Sequence, residues 1–246
     1  MEISSSIRRI GPGLVNCYLV EAGGAVTVVD AGLPGHWREL PAELAAMGRS
    51  LADVRALLLT HAHPDHVGFA ERLRRERGVP VYVHGLDAGM ARGEGRNAAA
   101  AWGRFRVGPL LRFVLYGLPR GALRTTPIAE VTAFDDGAAL DVPGSPRVVH
   151  LPGHSPGSVA FHFGSLDALF VGDALATLDV LTGATGPRIA PFTGDRTQAL
   201  VSLARLDGLR ADLVLPGHGQ PWTDGLDRAL SRVRDAEDRP APIKPA

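Results

Sequence analysis

Three histidines and an aspartate crowd into His61-Ala62-His63-Pro64-Asp65-His66, directly after the apolar run Leu57-Leu58-Leu59-Thr60. Imidazole and carboxylate groups gathered so tightly are unfavourable together unless a cation sits among them. Their nitrogen and oxygen donors suit zinc or another first-row divalent ion. The apolar run reads as a buried strand from Val54 to Thr60. If the chain stays extended through Ala62, His61 and His63 project to the same side. Pro64 holds His63 extended and suits the first position of a helix. Asp65 and His66 are therefore expected in the first turn of a helix that continues from Val67 to Arg77 and closes at Gly78.

The same arrangement, an apolar strand ending in Gly or Pro beside a lone donor, recurs later in the chain. Val149-His150-Leu151-Pro152-Gly153 leads to His154, Leu169-Phe170-Val171-Gly172 to Asp173, and Leu213-Val214-Leu215-Pro216-Gly217 to His218. Glycine beside each donor lets the backbone turn sharply and keeps bulk away from an ion. Asp30 follows Val28-Val29 in the same way, and read alone it caps a loop. Ser155 reads as part of the turn beside His154, not as a nucleophile.

The elements that must position these groups alternate in type. Strands are expected at Ile7–Ile10, Asn16–Glu21 and Ala25–Val29, the last two joined by a Gly23-Gly24 hairpin signal. Trp37, Leu40, Leu44 and Met47 recur at helical spacing before Gly48. Val79–Val83 is a further strand. After residue 128, strands are expected at Ala129–Phe134, Ala138–Val142, Pro146–Leu151, Ser158–Phe163, Leu166–Val171 and Ala211–Leu215. Helices are expected at Asp195–Leu206 and Gly225–Asp235. β-rich halves that each carry helices imply sheets packed face to face with helices outside. The tail from Glu237 holds three prolines and reads as disordered.

Residues 85–128 break this rhythm. Ala98–Tyr116 is helix-like, and between Arg92 and Arg124 there are seven arginines against one acid, Glu94. One reading is an amphipathic excursion with a solvated arginine face. Another is a cap whose Arg104, Arg106 and Arg112 steer an anionic group while aromatics such as Tyr116 grip an apolar one. A membrane-surface helix is the third, and an apolar insertion also offers a surface for pairing two copies.

The chain has 246 residues and zero formal net charge, 26 basic against 26 acidic side chains. No global field therefore draws it to nucleic acid or to an anionic membrane. The single Cys17 excludes an internal disulfide and fits a reducing compartment. No secretory signal or transmembrane run is evident, so a cytoplasmic protein acting on a small molecule is expected.

His61-Ala62-His63-Pro64-Asp65-His66 followed by His154, Asp173 and His218 resembles the ligand series of the metallo-β-lactamase superfamily, with Asp30 matching that superfamily's preceding aspartate. The resemblance covers residues 15–220. It implies an α+β fold, a four-layer αββα sandwich with a helical insertion at 85–128, in a single domain over 1–236. It further implies two divalent metal ions, zinc foremost and iron or manganese as alternatives. His61, His63 and His154 would bind the first ion, Asp65, His66 and His218 the second, and Asp173 would bridge. Asp30 would hold the ligand loop without touching metal. Two such ions lie about 3.5–4 Å apart and bring the pKa of a shared water from 15.7 to near 7. The resulting hydroxide attacks an electrophile, and Asp65 could both coordinate and pass on a proton.

Asp173 sets the chain apart from the true β-lactamases of that superfamily, which lack this carboxylate. The pattern resembles the thioesterase (glyoxalase II-like) and lactonase-like branches, with departures from both. Little chain follows His218 to supply a glutathione-binding extension, and Ala176 stands where the best-known lactonases carry a tyrosine. A dinuclear hydrolase of a small ester, thioester or lactone is the leading expectation. A mononuclear iron enzyme oxidising persulfides, a phosphodiesterase or nuclease, and a binding protein that kept the fold are the alternatives. Among the remaining histidines, His84 is a candidate to line the pocket and His36 a candidate to face its mouth. His150 and His162 are expected to be structural.

Overall fold

In the computed structural model, which describes residues 1–95, 104–124 and 126–238, the chain opens with β1 (Glu2–Ser4) and β2 (Ile7–Ile10). Strands β3 (Cys17–Ala22) and β4 (Ala25–Val29) form the expected hairpin, with both Gly23 and Gly24 at positive φ. A short 3₁₀ turn and α1 (Leu40–Ala45) lead to β5 (Val54–Leu58), and α2 (Ala70–Arg77) leads to β6 (Val81–His84). Between β6 and β7 (Thr132–Phe134) lies the insertion, with α3 (Ala88–Ala91) and α4 (Val107–Gly117). These strands make a seven-stranded sheet in sequence order, β4 to β7 all parallel.

The second half forms β8 (Arg147–His150), β9 (Val159–Phe163) and β10 (Ala168–Gly172), then a separate hairpin of β11 (Ala176–Leu178) and β12 (Thr185–Arg188). Helix α5 (Arg196–Ser202), β13 (Leu213–Pro216) and α6 (Leu226–Asp238) complete it. Its four-stranded sheet runs β13-β10-β9-β8, with β13 parallel to β10.

Three buried apolar clusters define four layers. Leu40, Leu44, Phe69 and Leu73 pack α1 and α2 on the outer face of the first sheet. Val29, Leu58, Phe161 and Phe170 fill the space between the sheets. Ala199 of α5, Leu203 and Leu206 of the 3₁₀ turn after it, and Leu230 and Val233 of α6 seal these elements onto the second. The result is an αββα sandwich. Parallel strands joined by helices all end at one edge, where loops meet. Asp30 leaves β4 there, His61 follows β5, and the pairing of Gly172 with Pro216 brings Asp173 and His218 off neighbouring strands together.

Several expectations are corrected. Strand β5 stops at Leu58, and the helix after the histidine cluster begins at Ala70, not at Pro64. Residues 64–66 form a turn closed by the His66 N–H donating to His63 O at 2.9 Å. The reason is tertiary: Gly68 and Phe69 donate their N–H groups to Gly32 O and Ala31 O, and Ala31 N–H donates to His66 O. Those bonds tie the segment to the loop after β4 and take it out of helical register. The expected strand Ala138–Val142 reduces to one bridge, Ala139 with Arg147, because Pro143-Gly144-Ser145 turns the chain through two positive φ angles. Helix α4 begins at Val107, while residues 98–103 of the expected helix lie outside the described residues. Glu237, expected in the tail, is in α6, and residues 239–246 are outside the description. Strand β1 and the β11–β12 hairpin had no counterpart in the sequence reading.

Candidate metal centre

The loops at the shared edge bring seven expected side chains into one cluster. His61, His63 and His154 place donor atoms within 4.8 Å of one another, as do Asp65, His66 and His218. Asp173 lies between the two trios. Its Oδ2 is 3.4 Å from His154 Nε2 and 3.1 Å from His218 Nε2, and its Oδ1 is 3.6 Å from His66 Nε2.

Hydrogen-bond chemistry fixes how four of these rings present themselves. His66 Nδ1 donates to Asp30 Oδ2 at 2.9 Å, and His218 Nδ1 donates to the carbonyl of Leu14. Thr60 Oγ1 gives its proton to Asp30, so at 3.1 Å it accepts from His61 Nδ1. Thr193 Oγ1 donates to Ala190 O and so accepts from His154 Nδ1. Each neutral ring is thereby held with its proton on Nδ1 and the Nε2 lone pair turned inward. His63 differs: its Nδ1 faces His154 Nε2 at 2.9 Å.

The residues fit a cation. His61 Nε2, His66 Nε2 and Asp173 Oδ1 are buried without a hydrogen-bond partner among the described residues, and they converge on one point. Orphaned lone pairs are costly in a protein interior unless something positive meets them.

Electrostatics point the same way. Burial holds His61 well below the usual imidazole range, with His66, His63 and His154 adding to it. Burial also lowers His63 and pushes His154 down to about 3. Burial opposes charge on His66 too, but Asp173, Asp30 and Asp65 overcome it and raise that ring to about 9. His218 is raised well above its ordinary value by Asp173 and Asp65, against its own burial. Asp173 is buried and Asp65 half-buried, yet the facing rings, His66 and His218, keep both below the usual carboxylate range.

Asp30 supports the cluster from outside. It sits at φ +61°, a left-handed conformation, and its Oδ1 accepts the Thr60 N–H at 2.8 Å. One side chain thus fixes both His66 and the segment carrying His61. Glycine is needed where the loops touch: a Cβ on Gly217 would lie 2.4 Å from Asp173 Oδ1 and 2.5 Å from His66 Cε1.

Sequence reasoning missed Asp87. This buried carboxylate accepts the Ala62 N–H at 3.1 Å, the Ser155 hydroxyl at 2.7 Å and the Gly157 N–H at 2.7 Å. It joins the loop bearing His61 and His63 to the loop bearing His154. The available signal was its place three residues after β6, an acid beyond a parallel strand end like Asp30. Thr193 gave no signal of its kind.

The remaining candidates lie further out. His84 is buried and stacks on His150 at 4.2 Å, and its Nδ1 accepts the Leu86 N–H. His36 is buried, so it does not face solvent at a mouth; its Nδ1 accepts the Leu33 N–H, which leaves Nε2–H to donate to the Tyr116 hydroxyl at 2.6 Å. Burial holds His36 down to about 4, with Arg120 contributing. One turn earlier, Phe113 sets its ring edge against His218 at 6.2 Å, so α4 reaches the metal-ligand cluster through Phe113. Arg104, Arg106 and Arg112 are exposed. His150 and His162 donate to the carbonyls of Pro156 and Arg210.

Comparison with known proteins agrees with this geometry. The family model described as the metallo-beta-lactamase superfamily matches residues 10–218. The chain belongs to the metallo-beta-lactamase superfamily. It is 26% identical over 243 residues to the probable metallo-hydrolase YflN of Bacillus subtilis, covering 90% of this chain and 87% of that one. The metallo-beta-lactamase family protein TTHA1429 from Thermus thermophilus superposes with a TM-score of 0.67 at 26% identity, over 96% of this chain and 79% of that one. A structure described as TTHA1623 in a di-iron-bound form superposes with a TM-score of 0.58 at 30% identity, over 88% and 93%.

Proposed function

We propose that the chain is a dinuclear metal-dependent hydrolase of a small ester, thioester or lactone. The observation that carries this reading is the set of four histidines whose Nδ1 atoms are taken up by outer partners, leaving Nε2 free to face the space around Asp173. Two donor trios with the Asp173 carboxylate between them would hold two ions. Divalent ions held there supply Lewis acidity and bring water within reach of deprotonation at neutral pH. Nitrogen-rich donor sets favour zinc, and the likeness to a di-iron-bound structure keeps iron as the competing metal. A relative named a probable metallo-hydrolase supports the reaction class.

The protein's own groups divide the work. Asp65 stays ionised beside His66 and His218, which suits its carboxylate to help hold an ion and to orient a water by accepting its hydrogen bond. Asp30 and Asp87 hold the ligand loops in place. Phe113 covers one side of His218 and keeps bulk water from that face.

Elemental analysis of purified protein is expected to give two metals per chain. Asp173→Ala is expected to lower that to one or none and to abolish turnover of lactone, thioester and activated ester substrates. Full activity in Asp173→Ala refutes the two-metal reading. Turnover confined to phosphodiesters assigns another hydrolase class to the same centre.

A further inference from the structure

Helix α4 has two faces, and the metal centre uses only one. Phe113 meets His218, Tyr116 meets His36, and Gly117 is buried against the body of the protein. On the opposite side Val107, Leu111, Val114, Leu115 and Leu118 are exposed, Val107 by 73% and Leu115 by 62%. At about 100° per residue these five fall within an arc of roughly 100°. An outward apolar stripe this wide is unusual on a monomer's surface and marks a place where something docks.

The charge around the stripe says what. Residues 104–124 hold five arginines and no acid. Arg104, Arg106, Arg112 and Arg124 are exposed and form no ion pair among the described residues. Arginine bordering an apolar stripe buries its methylenes and keeps its head at a polar boundary. The helix is 11 residues long, about 16 Å, which suits lying in an interface plane rather than crossing it. No helix among the described residues is long and apolar enough to cross a membrane.

A second copy is a poor occupant. Two-fold pairing would set the same arginines against one another with no acid in the segment to meet them. We propose that α4 and its flanking arginines dock the protein peripherally on an anionic lipid surface. The apolar stripe enters the headgroup boundary and the arginines meet lipid phosphates. Phe113 and Tyr116 stay turned toward the metal centre. This docking does not depend on which reaction the centre performs.

The test is co-sedimentation of the full chain with vesicles of phosphatidylcholine alone and of phosphatidylcholine mixed with phosphatidylglycerol. Partition is expected to favour the mixed vesicles by at least about tenfold and to fall with added salt. Arg104→Ser with Arg106→Ser and Arg112→Ser is expected to weaken it by about a hundredfold, given roughly 1 kcal/mol for each basic side chain near such a surface. Leu111→Asp with Leu115→Asp is expected to abolish it, and because both side chains are exposed these variants keep the parent's circular dichroism and melting temperature. Equal partition into both vesicle types, or none into either, overturns the proposal. So does a dimer by light scattering that the Leu111→Asp, Leu115→Asp chain no longer forms.

Discussion

Removing the Asp87 carboxylate tests whether the two ligand loops form one mechanical unit. In Asp87→Ala the N–H groups of Ala62 and Gly157 and the hydroxyl of Ser155 all lose their acceptor. A buried donor left unpaired costs about 1–3 kcal/mol. Ser155 also bonds with Ser158 Oγ at 2.8 Å and keeps that partner. Water entering the vacated space recovers part of the rest, so a loss of about 4 kcal/mol is expected. That is a large share of the roughly 5–15 kcal/mol typical of a folded domain. In urea the unfolding midpoint should drop by at least about 1 M. Asp87→Asn should cost about half as much. Its oxygen keeps the Ala62 and Ser155 donors that Oδ2 holds now, while its amide meets the Gly157 N–H. Because Asp87 anchors the loops of His61, His63 and His154 and no part of the Asp65, His66 and His218 trio, metal content should fall by one per chain before it falls by two. A midpoint within about 0.2 M of the parent with unchanged metal content refutes this reasoning, since m-values of this size make such a shift negligible.

Two further predictions rest on close packing. Gly217→Ala would push a methyl group against Asp173 Oδ1 and His66 Cε1, while the Gly217 N–H is fixed on Gly172 O at 2.8 Å. The protein is expected to fold with a penalty of about 1–3 kcal/mol; zinc is expected to raise the parent's melting temperature and not this variant's, and an equal rise in both contradicts the geometry. His36 supplies a pH signature. Unfolded, it takes up a proton near pH 6.5, but folded only near pH 4, because burial disfavours its charge. Acid therefore favours the unfolded chain. The contribution of neutral His36 is complete above pH 6.5 and shrinks by up to about 3 kcal/mol as pH falls toward 4. In His36→Gln the melting temperature should fall less steeply over that window than in the parent, and parallel curves would show that His36 is not the group responsible.

The donors at this edge were legible because each is written into consecutive residues. Strand, glycine or proline, and donor follow one another at His154, Asp173 and His218, so local propensity and chemistry agree. The αββα layering was legible for the same reason, as strand periods recur with helical stripes between them. The helix expected at Pro64 was not there, although Pro64-Asp65 is a fair local start signal. Three tertiary hydrogen bonds to the loop after β4 outweighed it, and no local pattern records them.

The residues that tie strand ends together are the ones sequence conceals. Asp87 meets Ser155 across 68 positions and Thr193 meets His154 across 39, and in neither case does the residue type announce its partner. A donor must be near an ion, which constrains its neighbours in sequence; a tie need only be near two loops, which constrains nothing next to it. The outer face of α4 is legible in the opposite sense. Its five apolar side chains and flanking arginines stand out in the sequence as readily as any core helix. Only the fold shows that Phe113 and Tyr116 already fill the inward side, so the stripe that reads like core is turned outward.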